Sequence, residues 1–231
     1  MKIHQQNKTI WMSWLQGEAD KSMPKLNREC ISRWKELNPT WQANVLSSEA
    51  IGDYVPEYFE IVKKSKFDRN FIAKSELLRL LLLNKYGGIW VDASVYPMLP
   101  LDDFISDILS NVGFFTYRFM NRSYRRETVS WFLVANCPNH YLIKTWLDAF
   151  IDDFLNCPLD WNTGKTEDEV INPSKYFEVH ATLSSLYDSN EKIRNIIDNM
   201  VQINQAIPHS ALDHWEKREN SYMYKRPNLK F

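Results

Sequence analysis

The chain has 231 residues, 25% of them charged, and a formal net charge of −1. A chain of this length buries roughly 70–75% of its unfolded surface, which suffices for one α/β core without disulfides, so we expect a single domain over 1–231. The near-neutral charge gives no indication of nucleic-acid binding. Cys30, Cys137 and Cys157 are odd in number and lack C-x-x-C spacing. They favour a reducing compartment, and we expect a cytoplasmic protein.

The chain begins MKIHQQNKT, without an apolar run of signal-peptide length. No later stretch approaches the ~20 apolar residues of a membrane span. We therefore expect any membrane contact to be peripheral, at the inner face of the cell membrane.

Helix and strand patterns alternate along the chain, which is typical of an α/β fold. In chain order the predicted elements are strand 9–14, helix 25–37, strand 41–46, helix 56–64, helix 73–86, strand 89–91, strands 112–117 and 128–135, helix 141–154, a polar loop over 156–169, and short helices within 173–199. A basic segment, 118–126, separates strand 112–117 from strand 128–135, and a hairpin or a long insertion would fit it. We take about 1–135 as the ligand-binding core and about 136–231 as a mostly helical part.

Residues 74–96, KSELLRLLLLNKYGGIWVDASVY, are the most informative stretch. Strong helix formers end at Gly87-Gly88, which supply a left-handed turn, and a short apolar strand follows. That strand ends at Asp92. Since a carboxylate is costly to bury without a partner, we expect Asp92 at a mouth that holds a cation or a polar ligand.

Ser75-Glu76-x-x-Arg79 followed by Gly87-Gly88-x-Trp90-x-Asp92 resembles the S-D-x-x-R…G-G-x-[YW]-x-D-x-D signature of the DXD sugar transferases. The closest resemblance is to the bacterial capsular polysaccharide synthesis glycosyltransferases. Residues 10–17, 30–34, 38–39 and 130–132 extend it over about 1–135. It implies a GT-A-like, Rossmann-type nucleotide-sugar-binding fold.

Two positions depart from the signature. Glu76 replaces the usual Asp but keeps the carboxylate, and Ser94 replaces the second Asp of D-x-D. The loss of that second Asp puts two-carboxylate metal chelation in doubt. Ser94 lies two residues after Asp92, so in an extended segment its hydroxyl would point the same way.

The predicted metal site holds Mn²⁺ or Mg²⁺ through Asp92, with Ser94 and the late His209 as further ligands. The cation would neutralise the diphosphate that leaves a nucleotide sugar. The structural alternatives are a turn-capping Asp92, an ordinary polar loop residue at Ser94 and a surface His209.

Asp92 and Arg79 are the predicted catalytic residues. Glu76 and Arg79 share one face of a leucine-rich helix, and the resemblance implies that they contact ribose and sugar hydroxyls, with Ser75 beside them in the donor site. The alternative is that Glu76 and Arg79 only pair with each other.

Three further residues are donor-site candidates. By the resemblance, Trp14 would stack on a nucleobase at the end of the first strand, next to Gln16. Trp131 would contact donor or acceptor sugar, because aromatic faces suit the apolar faces of sugars. The chain has nine Trp, so a core role is the alternative for either indole.

No G-x-G-x-x-G, Walker, H-E-x-x-H or G-x-S-x-G pattern and no zinc-spaced cysteine set occurs in the sequence, so other chemistries fit poorly. We expect a glycosyltransferase that moves a sugar from a nucleotide-sugar donor, uridine-linked, to a growing surface or capsular glycan. Retention of configuration follows from the resemblance. The acceptor would be lipid-linked, with the basic segment guiding acceptor or membrane approach. The alternatives are a catalytically weak nucleotide-sugar-binding or partner-binding module, and a structural scaffold.

Overall fold

The computed structural model describes residues 8–65, 71–109, 111–118, 128–156, 178–205, 208 and 221–225. Its strands are β1 (Thr9–Ser13), β2 (Gln42–Leu46), β3 (Gly88–Val91), β4 (Val95–Pro97), β5 (Phe114–Arg118), β6 (Thr128–Ala135) and β7 (Met223–Lys225). Its helices are α1 (Lys25–Leu37), α2 (Ile51–Tyr54), α3 (Glu57–Lys64), α4 (Phe71–Tyr86), α5 (Ile105–Ile108), α6 (Tyr141–Asn156), α7 (Glu178–Ser189) and α8 (Glu191–Asn199), with a 3₁₀ turn at Leu101–Asp103.

Five strands form the main sheet in the order β2-β1-β3-β6-β5. The pairs β2–β1 and β1–β3 are parallel, whereas β3–β6 and β6–β5 are antiparallel. The central strand β3 is buried along its whole length, which explains its continuous apolar sequence. The carboxyl end of β3 therefore lies at the same sheet edge as the start of β6.

Both faces of the sheet carry an apolar core. On one face Trp90 and Leu133 pack with Leu77 of α4 and with residues of α6, α7 and α8. On the other face Ile89 and Phe132 pack with side chains of α1 and α5. The sheet is thus the middle layer of an α/β sandwich, and the expected α/β class is confirmed.

The end of α4 fixes where β3 begins. Gly87 has φ +67°, and its N–H donates to the Leu83 carbonyl at 2.9 Å. A Cβ at this position would lie 2.8 Å from the main-chain carbon of Cys137. The glycine is therefore required both by the left-handed backbone and by the close approach of the neighbouring chain.

Every long predicted element is confirmed within a few residues, and β5 pairs antiparallel with β6, which agrees with the hairpin alternative. The short elements α2, α5, β4 and β7 were missed. β4 pairs with β7 from the far end of the chain, and three-residue strands carry no readable period. Asn156 belongs to α6 rather than to the predicted polar loop, whose remainder, 157–169, lies outside the described residues. The division at about residue 135 stays a prediction.

Among the described helices, none combines the length and apolar character needed to cross a bilayer.

Candidate functional site

Asp92 follows β3 directly and lies at the sheet edge. Its N–H donates to the Trp131 carbonyl of β6 at 2.9 Å, and its carbonyl accepts from the Val95 N–H at 2.9 Å. Its side chain is 28% exposed. The main chain of Asp92 is therefore held on both sides, while its carboxylate is open to a ligand.

Arg79 joins Asp92 to a second carboxylate. Its Nη2 lies 3.4 Å from Asp92 Oδ1, and its Nη1 lies 3.2 Å from Glu76 Oε2. Arg79 is 4% exposed and Glu76 7% exposed. Glu76 and Arg79 do pair with each other, as the alternative to a donor-site role stated. Arg79 also pairs with the partly exposed carboxylate of Asp92, so it bridges two carboxylates.

Neighbouring groups fix this chain of charges. The Ser130 hydroxyl donates to Glu76 Oε1 at 3.1 Å, and Arg79 Nη2 donates to the Ser75 hydroxyl at 3.1 Å. The Trp90 indole N–H donates to Asp92 Oδ1 at 3.1 Å, and the Arg79 guanidinium carbon lies 5.1 Å from the centre of the Trp90 ring. Buried charges are tolerated when paired and hydrogen-bonded in this way.

Ser94 lies in a turn rather than in an extended segment. The hydrogen bond from the Val95 N–H to the Asp92 carbonyl closes residues 92–95 into that turn. The extended backbone on which the expectation for Ser94 rested is therefore absent, and the direction of its hydroxyl stays a prediction. Ser94 stays a predicted ligand by its proximity in sequence alone.

Trp14 lies just beyond the end of β1, at the same sheet edge as Asp92. Its indole N–H donates to Asp20 Oδ2 at 3.1 Å, and its ring packs on the face opposite to Arg79. Hydrogen bonds from the Ser22 hydroxyl and N–H and from the indole lower the pKa of Asp20. Gln16 is exposed. The structure thus orients the Trp14 indole through Asp20. It shows no hydrogen bond or ring contact between Trp14 and Glu76, Arg79 or Asp92.

Trp131 contacts Asp92 through its main chain. Its buried indole stacks on Tyr117, with ring centres 5.1 Å apart and planes at 19°. The Trp131 ring belongs to the same apolar cluster as Phe132, whereas the hydroxyl of the adjacent Ser130 donates to Glu76. A sugar contact by the Trp131 ring stays a prediction.

His209 and residues 119–126 of the basic segment lie outside the described residues. Arg118, the first arginine of that segment, ends β5 and donates to Gln202 Oε1 at 2.7 Å.

Sequence reasoning missed His180 of α7. Burial lowers the pKa of His180, and the nearby Arg79 guanidinium lowers it further. α7 packs in the core on the α4 side of the sheet, through Val179. No signal in the sequence could have linked residues so far apart, because only the packing of α7 brings them together.

The oxygen chemistry of Asp92 fits a small divalent cation. Within the part of the chain that the structure describes, no group of three or more His, Cys, Asp or Glu side chains is arranged to hold a metal ion. Mg²⁺ in phosphate-binding sites is often held by one or two carboxylates together with substrate phosphates and water. A single open carboxylate therefore suits a cation that a bound diphosphate helps to hold.

A family model described as "Capsular polysaccharide synthesis protein" matches residues 1–228. The chain belongs to this family. The match extends well beyond the first 135 residues on which the sequence resemblance rested.

Curated relatives of this capsular polysaccharide synthesis family member include two fungal enzymes. The chain is 25% identical over 104 residues to an initiation-specific alpha-1,6-mannosyltransferase of Candida albicans, covering 43% of this chain and 27% of that protein. It is 27% identical over 157 residues to the O-glycosyltransferase braB of Annulohypoxylon truncatum, covering 62% of this chain and 37% of that protein. The matches thus span only 27% and 37% of the length of these relatives.

A solved structure, PaToxG Glycosyltransferase, aligns with a TM-score of 0.48 and 15% identity, covering 81% of this chain and 73% of that one.

Proposed function

We propose that the chain is a glycosyltransferase that moves a sugar from a nucleotide-sugar donor to a glycan acceptor. The observation that carries this proposal is the open carboxylate of Asp92, ion-paired to buried Arg79 at the carboxyl end of β3, in a chain of the capsular polysaccharide synthesis family. The glycosyltransferase names of its relatives support the same reaction class.

Each residue of the site has a role in this proposal. Asp92 would hold Mn²⁺ or Mg²⁺, which supplies positive charge to the diphosphate as it leaves. Arg79 holds the Asp92 carboxylate in place, and Glu76 holds Arg79. Because the side chain of Arg79 is only 5% exposed, we assign its main effect to positioning Asp92 rather than to contact with the donor.

The finer parts of the proposal come from the sequence resemblance. They are a uridine-linked donor, retention of configuration, and a growing surface or capsular glycan as the acceptor, lipid-linked at the inner face of the cell membrane. Trp14 would stack on the base and Trp131 would meet a sugar. Ser94 and His209 would complete the metal site.

The test is release of nucleotide diphosphate from a panel of uridine- and guanosine-linked sugars, with Mn²⁺, with Mg²⁺ or with a chelator. We expect one donor to react and the chelator to stop the reaction. Asp92→Asn should lower turnover at least about 100-fold, the scale of one lost preorganised electrostatic contact. Its melting temperature should stay within about 3 °C, because a partly exposed ion pair contributes little to stability.

Asp107→Asn is the matched control, since Asp107 is an exposed carboxylate on α5. It should leave both turnover and stability unchanged. Full metal-dependent turnover in Asp92→Asn would refute the role of Asp92. No turnover with any donor in the wild type would leave the enzyme proposal without support.

A second candidate is a module that binds nucleotide sugar without turnover. It is favoured by Ser94, which stands where the signature has its second Asp and so leaves one carboxylate in that motif. Nucleotide binding by calorimetry, together with an absence of nucleotide release over long incubation, would favour this candidate.

A further inference from the structure

Trp90 is a buried indole whose N–H is directed at the carboxylate of the candidate metal site. It is 1% exposed and donates to Asp92 Oδ1 at 3.1 Å. By contrast, the buried indoles of Trp11, Trp34 and Trp146 donate to main-chain carbonyls. The fold fixes a main-chain carbonyl, whereas a carboxylate can rotate. The bond from Trp90 therefore selects a side-chain orientation of Asp92.

Trp90 also contacts the cation that pairs with Asp92. The guanidinium carbon of Arg79 lies 5.1 Å from the centre of the Trp90 ring, within the range of a cation–π contact. The face of one indole thus positions Arg79, and its N–H positions Asp92. One side chain sets the relative placement of the two charges.

Ser130 acts at the other end of the same chain of charges. Its hydroxyl donates to Glu76 Oε1 at 3.1 Å, while Glu76 Oε2 pairs with Arg79 Nη1 at 3.2 Å. The hydroxyl occupies one carboxylate oxygen and leaves the other directed at the guanidinium. β6 thereby helps to orient a side chain of α4.

We propose that Trp90 and Ser130 are positioning residues that hold Asp92 and Arg79 in one orientation toward a metal-bound nucleotide diphosphate. The inference rests on the proposed function and adds two residues to it. Hydrogen-bond partners of metal-ligating side chains commonly change metal affinity or activity about 10- to 100-fold when they are removed.

The test compares Trp90→Phe with Trp11→Phe. Trp11 lies opposite Trp90 in the neighbouring strand, is 2% exposed and donates its indole N–H at 3.1 Å to the Gly87 carbonyl. Both substitutions keep an aromatic ring and remove one buried N–H. The two variants therefore differ in whether the lost hydrogen bond ended on Asp92.

The measurements are the melting temperature, the Kd of UDP and of GDP by calorimetry at saturating Mn²⁺, and the Mn²⁺ concentration that half-saturates nucleotide binding. We expect similar losses of melting temperature in the two variants. In Trp90→Phe the half-saturating Mn²⁺ concentration should rise about tenfold, while in Trp11→Phe it should stay within about twofold of wild type. Equal Mn²⁺ dependence in the two variants would overturn the inference.

Ser130→Ala gives a second, smaller change that keeps the test decisive if Trp90→Phe does not fold. Its control is Thr116→Val, which removes a buried hydroxyl that donates to the Val129 carbonyl at 2.6 Å on the same sheet. We expect the half-saturating Mn²⁺ concentration to rise about threefold in Ser130→Ala and to stay unchanged in the control. Identical behaviour of the two would overturn the role of Ser130. A wild-type protein that binds neither nucleotide would overturn the proposed function instead.

Discussion

Removing the guanidinium of Arg79 should destabilise the protein strongly. Arg79→Met keeps an unbranched apolar chain in the helix but leaves the carboxylate of Glu76 without its cation. The two side chains are 5% and 10% exposed, and their ion pair spans 3.2 Å. Breaking a buried pair by removing one partner costs about 3–5 kcal/mol. For a chain of this size that corresponds to a melting temperature lower by about 6–20 °C.

The same i, i+3 spacing on the surface provides the control. Arg33 and Glu36 of α1 pair at 3.7 Å, with side chains 39% and 59% exposed. Arg33→Met should cost less than about 1 kcal/mol, because solvent screens an exposed pair. The residue types and the helical spacing are the same and the order along the helix is reversed, so the comparison contrasts a buried pair with an exposed one.

Neutralising the stranded carboxylate should restore part of the loss. The double variant Glu76→Gln/Arg79→Met keeps an acceptor oxygen for the Ser130 hydroxyl and removes the uncompensated charge. It should unfold at a higher temperature than Arg79→Met alone, which is a non-additive result expected only for side chains in contact. Thermal and urea unfolding without ligand measure both effects. The reasoning is refuted if Arg79→Met loses no more stability than Arg33→Met, or if the second substitution lowers stability further.

Three further predictions concern the surroundings of the site. Gly87→Ala should destabilise by more than about 1 kcal/mol in urea unfolding, because the backbone has φ +67° and the new Cβ would meet the Cys137 main chain at 2.8 Å; an unchanged midpoint would contradict this. Asp20→Asn should raise the KM for the donor about two- to tenfold and leave kcat unchanged, because Asp20 orients the indole of Trp14. An unaltered KM would show that this indole does not contact the donor. Burial and a neighbouring guanidinium lower the pKa of His180 from 6.5 to about 3, so between these values the unfolded state binds more protons than the native state and stability falls as the pH drops. His180→Gln should therefore lose less stability than wild type between about pH 7 and about pH 5, and equal losses would refute the assignment.

The long elements were predictable because proline, asparagine and glycine residues next to their ends mark where they begin and end. α1 begins after Pro24 and ends before Asn38-Pro39, and it spans the predicted residues. α4 ends at the glycine pair that the sequence singled out. The pairing of β4 with β7 depends instead on contacts between segments far apart in the chain, for which strands of three residues give no local signal.

The candidate site was predictable in part for the same reason. Helical spacing placed Glu76 and Arg79 on one face, and the end of a buried strand placed Asp92 at an edge. The link from Arg79 to Asp92 needed the packing of α4 against β3, which no single-chain pattern contains. The roles of Trp90 and Ser130 depend on hydrogen bonds from their side chains to Asp92 and to Glu76 of α4, which only the folded structure shows.

The buried ion pair is not explained by stability. Replacing a buried pair with well-packed apolar residues is often neutral or stabilising, and α4 is otherwise rich in leucine. If Glu76 and Arg79 served only to hold the helix, leucines at these positions would do so at lower desolvation cost. What apolar side chains cannot supply is a fixed positive charge 3.4 Å from Asp92 Oδ1. We therefore interpret the pair as lowering the stability of the fold while it fixes the position of the Asp92 carboxylate. Such a pattern is expected where activity and stability compete. On this argument Glu76→Gln/Arg79→Met should regain much of its stability and none of its turnover.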